Sequence, residues 1–443
     1  MGRRALLFGV GAGAAACIAC TAILGDFEPT AGTGMDGGGD GGGPDAPADS
    51  SDAGPLGGFL ATSVSAGEHH TCAVRDGRVF CWGGNARGQL GQSIGAFDLA
   101  DHPVKISALG EAGGIKGMIA VAAGYNHSCA VSGEGTVFCW GANDRGQLGN
   151  STMDGNPHPD PAQVVGVDGA PGFLHNVVAI AAGERHTCAV TTSTVVCWGD
   201  NTVAQSGNPA LALQFSAPHD IGGSFMAARS VTTGPKHTCA SNGTAFTCWG
   251  TQSSGELGLN ADGGPPVVVV GGTTPAVMVP GGFLGAIGAG ELHTCAQTLS
   301  GAACWGDNAS GQIGAPDAGS FFVPTPVANL AAVESVVTGS SHSCALMKDK
   351  TVSCWGSNLA GQLGQGAPLA AVNFAPKPAV GLAGVTYLSA GISHTCAVVG
   401  AKAADGGVGP GQVFCWGTGR DYRLGIGPTI EDQPIPTLVS AER

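Results

Sequence analysis

Fourteen cysteines, seven histidines and all seven tryptophans of this 443-residue chain recur in one frame, and they are the side chains whose types and spacing could do chemistry. The frame runs His-Thr/Ser-Cys-Ala, a hairpin-length gap, then Cys-Trp-Gly. Its first cysteines are Cys72, Cys129, Cys188, Cys239, Cys295, Cys344 and Cys396; its second are Cys81, Cys139, Cys197, Cys248, Cys304, Cys354 and Cys415. Two thiols beside an imidazole could ligate a metal, and the thiols alone could form a disulfide. Metal ligation asks for a fourth ligand that no unit offers, and for histidine and cysteine to leave their strand and converge. A disulfide asks only that the two cysteines meet, which depends on the elements that carry them.

Those elements read as hairpins. In the first unit Asp76-Gly77 is a type I′ turn signal; folding there sets Arg75 against Arg78, Val74 against Val79, and hence Cys72 against Cys81. In the second, the loop Gly133-Glu134-Gly135 sets Ser132 against Thr136 and Cys129 against Cys139. In the fourth, Gly243-Thr244 suits a type II′ turn and sets Cys239 against Cys248. Directly opposed residues of antiparallel strands lie about 4.5–5.5 Å apart at Cα, within disulfide reach. One disulfide per unit is therefore predicted, although Cys396 and Cys415 enclose a longer insertion whose turn the residues do not define.

An active site is one asymmetric constellation, whereas His70, His127, His186, His237, His293, His342 and His394 occur in every unit and are expected to serve the unit. Trp82, Trp140, Trp198, Trp249, Trp305, Trp355 and Trp416 are expected to pack between units. The remaining histidines, His69, His102, His158, His175 and His219, show no ligand spacing. No Gly-rich loop opens a helix and no carboxylate pairing is recognisable. The reading is of no enzyme, no metal and no cofactor.

Successive tryptophans are 58, 58, 51, 56, 50 and 61 residues apart, room for a four-stranded unit with its turns. Around each frame lie a strand ending in Ala/Thr/Gly-Gly, the His-Thr-Cys-Ala strand, the Cys-Trp strand, an Asn-x-x-Gly-Gln-Leu-Gly turn and a more distant Pro-x-Pro-like strand. The fold class is all-β, and a seven-unit β-propeller fits best. The last Pro strand, near Ile435 to Val439, is expected to close the ring by completing a blade begun by N-terminal strands. Composition agrees: Gly 78 and Pro 26 disfavour helices, and 43% hydrophobic against 11% charged residues supplies a large core. The net charge of −14 gives little footing for nucleic acid.

Residues 1–19 read as an export signal: Arg3 and Arg4 precede an apolar run too short for a confident membrane span. Ile18-Ala19-Cys20 resembles the lipobox of bacterial lipoproteins, which implies lipidation at Cys20, with Cys17 as the alternative. Residues 20–58 read as a flexible Gly/Asp/Pro-rich tether and 59–443 as the propeller. An exported protein meets the oxidising conditions that disulfides need.

The motifs GxxHTCAV, VFCWGxNxxGQLG and the Pro-containing strand, with the turn repeated at Asn85 to Gly91 and Asn143 to Gly149, closely resemble the regulator of chromosome condensation repeat family. The resemblance implies a seven-bladed β-propeller. The turns drift at Val203 to Gly207, at Gln252 and at Tyr422 to Gly425. The family's founding member is a nucleotide-exchange factor that binds chromatin, and bacterial relatives use one propeller face to bind proteins; the export signal and acid excess favour the second precedent.

Between the Gly-Gln-Leu-Gly turn and the Pro strand, the variable segments hold Phe97, Leu99, Leu213, Phe215, Phe321, Phe322 and Phe374. These are candidate anchors for a protein partner, or fillers packed between blades. The functional expectation is an exported, lipid-anchored, monomeric propeller that acts as a protein-binding scaffold at the cell envelope or surface. It binds no nucleic acid and meets the membrane only through the anchor. A secreted propeller that binds or processes extracellular carbohydrate is the alternative.

Overall fold

The computed structural model describes residues 58–92, 99–106, 117–207, 212–222, 227–259, 279–367, 370–400 and 409–442. The signal, nearly all of the tether, Cys17, Cys20 and Phe97 lie outside the described residues.

Alternating small and β-branched residues, cut by glycine turns, give the chain seven antiparallel sheets. Blade 1 comprises Ser63–Ala66, His70–Arg75, Arg78–Gly84 and Leu99–Lys105, in that spatial order. Blades 2 to 7 are built likewise around His127–Ser132, His186–Thr191, His237–Ser241, His293–Thr298, His342–Met347 and His394–Val399. The first strand of each blade faces the centre, where Ala66, Ala123, Ala182, Ala289 and Ala390 line a narrow channel. This is a seven-bladed β-propeller.

The hairpins take the register that their turns specify. Asp76 and Gly77 have φ of 49° and 72°, and Cys72 faces Cys81. Ser132 N–H donates to Thr136 C=O across the three-residue loop, and Ser241 faces Phe246 in blade 4. All seven cysteine pairs are bonded with Cα atoms 4.1 Å apart, Cys396–Cys415 included.

Blade 4 has three strands among the described residues, and residues 260–278, where its Pro-containing strand is expected, lie outside them. One expectation is corrected, that of the C-terminal strand. The C-terminal strand, Gln433–Leu438, completes blade 7, its own repeat's blade, rather than one begun by N-terminal strands. The N-terminus instead adds Leu60–Ala61 to blade 7: both segments pair with Gly411–Gly417, one along each half of its outer edge. Phe59 then sits edge-on to Phe80 and Trp82 of blade 1, and Arg75, stacked over Phe59 and Phe80, binds Glu442 at 2.6 Å. The described segments at Phe59 and Glu442 are thus fastened at the join between blades 7 and 1.

Each tryptophan caps the core of the preceding blade. Trp198 of blade 3 lies with Val131, Val137 and Leu148 of blade 2, and Trp416 of blade 7 with Val352 and Leu363 of blade 6. Such burial holds neighbouring blades together through dispersion and the hydrophobic effect.

Candidate functional site

The repeat histidines and tryptophans meet at every join between blades. At the join of blades 2 and 3, Thr187 Oγ1 donates to Gln147 C=O (2.9 Å), Trp198 Nε1–H donates to the same carbonyl (2.8 Å), and His127 Nε2 lies 2.9 Å from Thr187 Oγ1. Because the hydroxyl spends its proton on the carbonyl, it accepts from the imidazole, which is therefore the neutral Nε2–H tautomer. The same clasp recurs at all seven joins, ending with His394, Thr71, Trp82 and the Arg423 carbonyl. Burial pushes His127, His237 and His342 down to about 4 and His70, His186 and His293 to about 3, and holds His394 well below its ordinary value. These buried imidazoles stay uncharged and hold the blades together.

Within the clasp, the Gln that offers its backbone carbonyl also turns its side chain inward to accept a turn N–H, as Gln147 does from Arg145 at 2.8 Å. In blade 4 that residue is Glu256, 0% exposed, accepting from Ser254 N–H at 2.8 Å and paired with no cation among the described residues. Burial raises its carboxyl above the ordinary range. A folded-state value above the unfolded one means that folding favours the protonated form, so this group's contribution is best at low pH and falls as pH rises through the folded value. Glu256→Gln is expected to raise stability at pH 7 by on the order of 1 kcal/mol, with the gain shrinking towards about pH 4 in denaturant titrations. An equal gain at both pH values would contradict the assignment.

Seven glycines, from Gly67 to Gly391, ring the channel where each first strand turns into the second. A Cβ at Gly67 would lie 2.4 Å from Gly124 O, and one at Gly391 2.3 Å from Gly67 O, so close approach of neighbouring backbones demands glycine at this position. Of the residues that follow these glycines, Tyr125, Pro235, Glu291, Ser340 and Ile392 line the channel, and Glu68 and Glu184 hold the equivalent positions on blades 1 and 3. Three carboxylates therefore stand on alternate blades 1, 3 and 5. Burial, reinforced by Glu184 and Glu291 but opposed by His69 and Arg423, raises the Glu68 carboxyl. Burial, with all three carboxylates adding, pushes the Tyr125 phenol up. Sequence reasoning missed this ring. Its signal was present in the residue two before each repeat histidine, which is acidic in the segments GEHH, GERH and GELH.

The long loops between third and fourth strands open on the same face. Their third strands end beside the inner turns, as Gly84 N–H to His69 C=O and Asp200 N–H to Arg185 C=O show, both at 2.8 Å. Here the structure separates the candidate anchors. Leu99 is 41% exposed and Leu213 63% exposed, on blades 1 and 3 of this face, with exposed Met153 on the blade between. Phe215 is half-buried, stacked on His219 with centroids 3.5 Å apart and packed against the core of blade 2. Phe321 packs against the cluster holding Ile313 and Trp355. Phe322 and Phe374 lie against Gly255 and Gly311, the turn glycines of the preceding blades. These four phenylalanines are half-buried against their neighbours, whereas Leu99 and Leu213 are exposed. No group of three or more His, Cys, Asp or Glu side chains able to hold a metal occurs among the described residues.

Comparison with known proteins agrees with this architecture. One model of the regulator of chromosome condensation (RCC1) repeat matches residues 76–131, 134–190, 304–346 and 410–443; a second matches 61–89, 118–147, 177–205 and 333–362. Together they match more than half of the chain. The ultraviolet-B receptor UVR8 of Arabidopsis thaliana is 28% identical over 395 residues, covering 85% of this chain and 81% of its own. The human protein named probable E3 ubiquitin-protein ligase HERC6 is 34% identical over 206 residues, covering 44% of this chain and 19% of its own. The chain thus spans only about a fifth of that relative. Among solved structures, Prp20p of Saccharomyces cerevisiae superposes with a TM-score of 0.64 at 23% identity, covering 74% of this chain and 80% of its own. Human WBSCR16 gives 0.66 at 20%, covering 82% and 95%. These two likenesses are of fold.

Proposed function

The chain belongs to the regulator of chromosome condensation (RCC1) repeat family, and from that premise we propose that it is a protein-binding scaffold whose working surface is the face carrying the channel mouth and the long loops. One observation carries the reading: the seven units are alike in disulfide, clasp and glycine ring, yet on this face every inner turn bears a different pair of residues and the loops differ in length. A frame repeated seven times with a varied face is suited to recognition of one asymmetric surface. Prp20p is described as binding Gsp1p and histones, so a protein partner has a precedent in this fold. The HERC relatives are far longer than this chain, and their ligase activity is not carried over.

Export, lipidation at Cys20 and a monomeric state at the envelope or surface complete the proposal. Seven disulfides need an oxidising compartment. Among the described residues no helix is long and apolar enough to cross a membrane, and the leader supplies the proposed attachment.

The test cross-links the oxidised mature protein to envelope and medium proteins and compares two variants. Leu213→Asp alters the proposed face, whereas Leu299→Asp alters a hairpin tip, 73% exposed, on the opposite face. Capture is expected to fall at least about tenfold with the first and to persist with the second, the behaviour of a central contact against a non-contact residue. Equal loss with both would overturn the choice of face, and glycan retention without protein capture would overturn the scaffold reading.

A further inference from the structure

Where one blade's last strand leads to the next blade's first, residues 327–332 and 379–384 make short connectors. Residues 164–176, between blades 2 and 3, make a longer one. Gly166 N–H donates to Gly172 C=O and Leu174 N–H to Val164 C=O, so the two limbs are pinned and the middle bulges as a compact Ω-type loop, a kind of segment that often carries function. Val164 and Leu174 anchor the loop in the core of blade 2. Thr192 N–H donates to Asn176 C=O at 3.0 Å, which docks the hairpin tip of blade 3 against it. Loop and tip together enclose a cavity of about 220 Å³ on the hairpin-tip side of the ring.

The cavity has two kinds of wall: Pro171, Phe173 and Leu174 are apolar, whereas Asn176, Thr192 and Ser193 present amide and hydroxyl groups. Of the Phe, Tyr and Trp rings among the described residues, Phe173 is the most exposed, at 54%. The loop does not depend on that ring for its anchor, which the buried Leu174 supplies. Asn176 has a φ of 57°, and the same junction is made elsewhere by Gly117 and Gly384 at 77° and 72°. Glycine therefore meets the backbone requirement, and Asn176 adds an exposed amide beyond it. The Thr191 hydroxyl, bonded to Ser193 Oγ and Thr194 C=O, holds the tip in shape. Among the described residues no Asp, Glu, Lys or Arg lines the cavity, and His175 is its only titratable side chain, so the lining suits an uncharged ligand.

We propose that this cavity is a sugar site that seats one neutral pyranose ring, with Phe173 against the C–H face of the sugar and Asn176, Thr192 and Ser193 bonding its hydroxyls. A pyranose has the same two-sided character as the walls. Its C–H groups carry partial positive charge that suits the negative face of an aromatic ring, and its hydroxyls both donate and accept. A purely apolar ligand would leave the amide and hydroxyl wall without partners. The cavity is smaller than the roughly 300–1,000 Å³ of sites for drug-sized ligands, so it takes a single ring rather than a buried chain. The site lies away from the channel face, and a sugar here does not compete with a protein partner there.

Saturation-transfer NMR on the full-length oxidised protein tests the site with the methyl β-glycosides of glucose, galactose and N-acetylglucosamine, and with acyclic sorbitol as the control. A single ring held in this way binds with a Kd on the order of 1 mM; at least one glycoside is expected to receive saturation while sorbitol does not. Phe173→Trp is expected to keep the transfer, and Phe173→Leu to weaken binding at least about fivefold, because leucine retains apolar cover without the ring. Asn176→Gly, at a junction that glycine suits, is expected to weaken binding about threefold to tenfold, the effect of one hydrogen bond, without lowering the denaturant midpoint. Leu213→Asp is expected to leave sugar binding unchanged while it lowers protein capture, so failure of this site and failure of the scaffold face are read separately. Absence of transfer to all three glycosides, equal transfer to sorbitol, or full affinity in Phe173→Leu would overturn the site.

Discussion

Reductant added to the folded protein is expected to leave all seven disulfides intact, whereas the same reductant in guanidinium frees fourteen thiols from a chain that then does not refold. Every bonded cysteine is 0–1% exposed, in the middle of a blade, so no thiolate can reach a sulfur without unfolding. The stability at stake is large. Closing loops of nine or ten residues contributes about 2.5 kcal/mol each in the chain-entropy model, and the longer loop of Cys396–Cys415 somewhat more. Seven such bonds total on the order of 18 kcal/mol, above the 5–15 kcal/mol by which proteins are usually stable. Thiol alkylation with mass readout separates the outcomes. Modification in native buffer at a rate independent of denaturant would show that the blades breathe enough to expose their centres.

Trp198→Ala is expected to destabilise by about 3–5 kcal/mol, the range for deleting a buried aromatic. The indole fills the core of blade 2 and its N–H shares the Gln147 carbonyl with Thr187. Trp198→Phe keeps most of the packing and removes the donor, so it should cost about 1–2 kcal/mol less than the alanine change. Leu359→Ala, at an exposed turn position of blade 6, should stay within about 0.5 kcal/mol. Denaturant midpoints of the oxidised protein give all three. If Trp198→Ala proved as mild as Leu359→Ala, the joins would not be held by the tryptophans, and the clasp would be incidental to stability.

The division between what was legible and what was not follows the range of the interactions. Asp76-Gly77, Gly133-Glu134-Gly135 and Gly243-Thr244 dictate turn geometry within a few residues, and a turn sets the register of the hairpin that it closes. Three disulfides followed from those turns, and the repeated frame extended the pairing to the other units, Cys396–Cys415 included although its turn was not defined. The identity of each histidine and tryptophan as a structural residue was legible for the same reason, since a role repeated in every unit belongs to the unit.

The partners of those residues were not legible. His127 finds Thr187, and Trp198 finds Gln147, across blade joins. Phe215, Phe322 and Phe374 are half-buried because a neighbouring blade's core or turn glycine lies against them. Glu68, Glu184 and Glu291 carry no pairing along the chain and come to one channel mouth only because a closed ring of seven places alternate blades around a common centre. Closure itself was misjudged, for the outer edge of Gly411–Gly417 is shared by segments from both ends of the chain. The amino-acid sequence by itself determined the blade, because turns and alternation act over a few residues; the tertiary structure decided the joins, because their contacts form between residues that only ring closure makes neighbours.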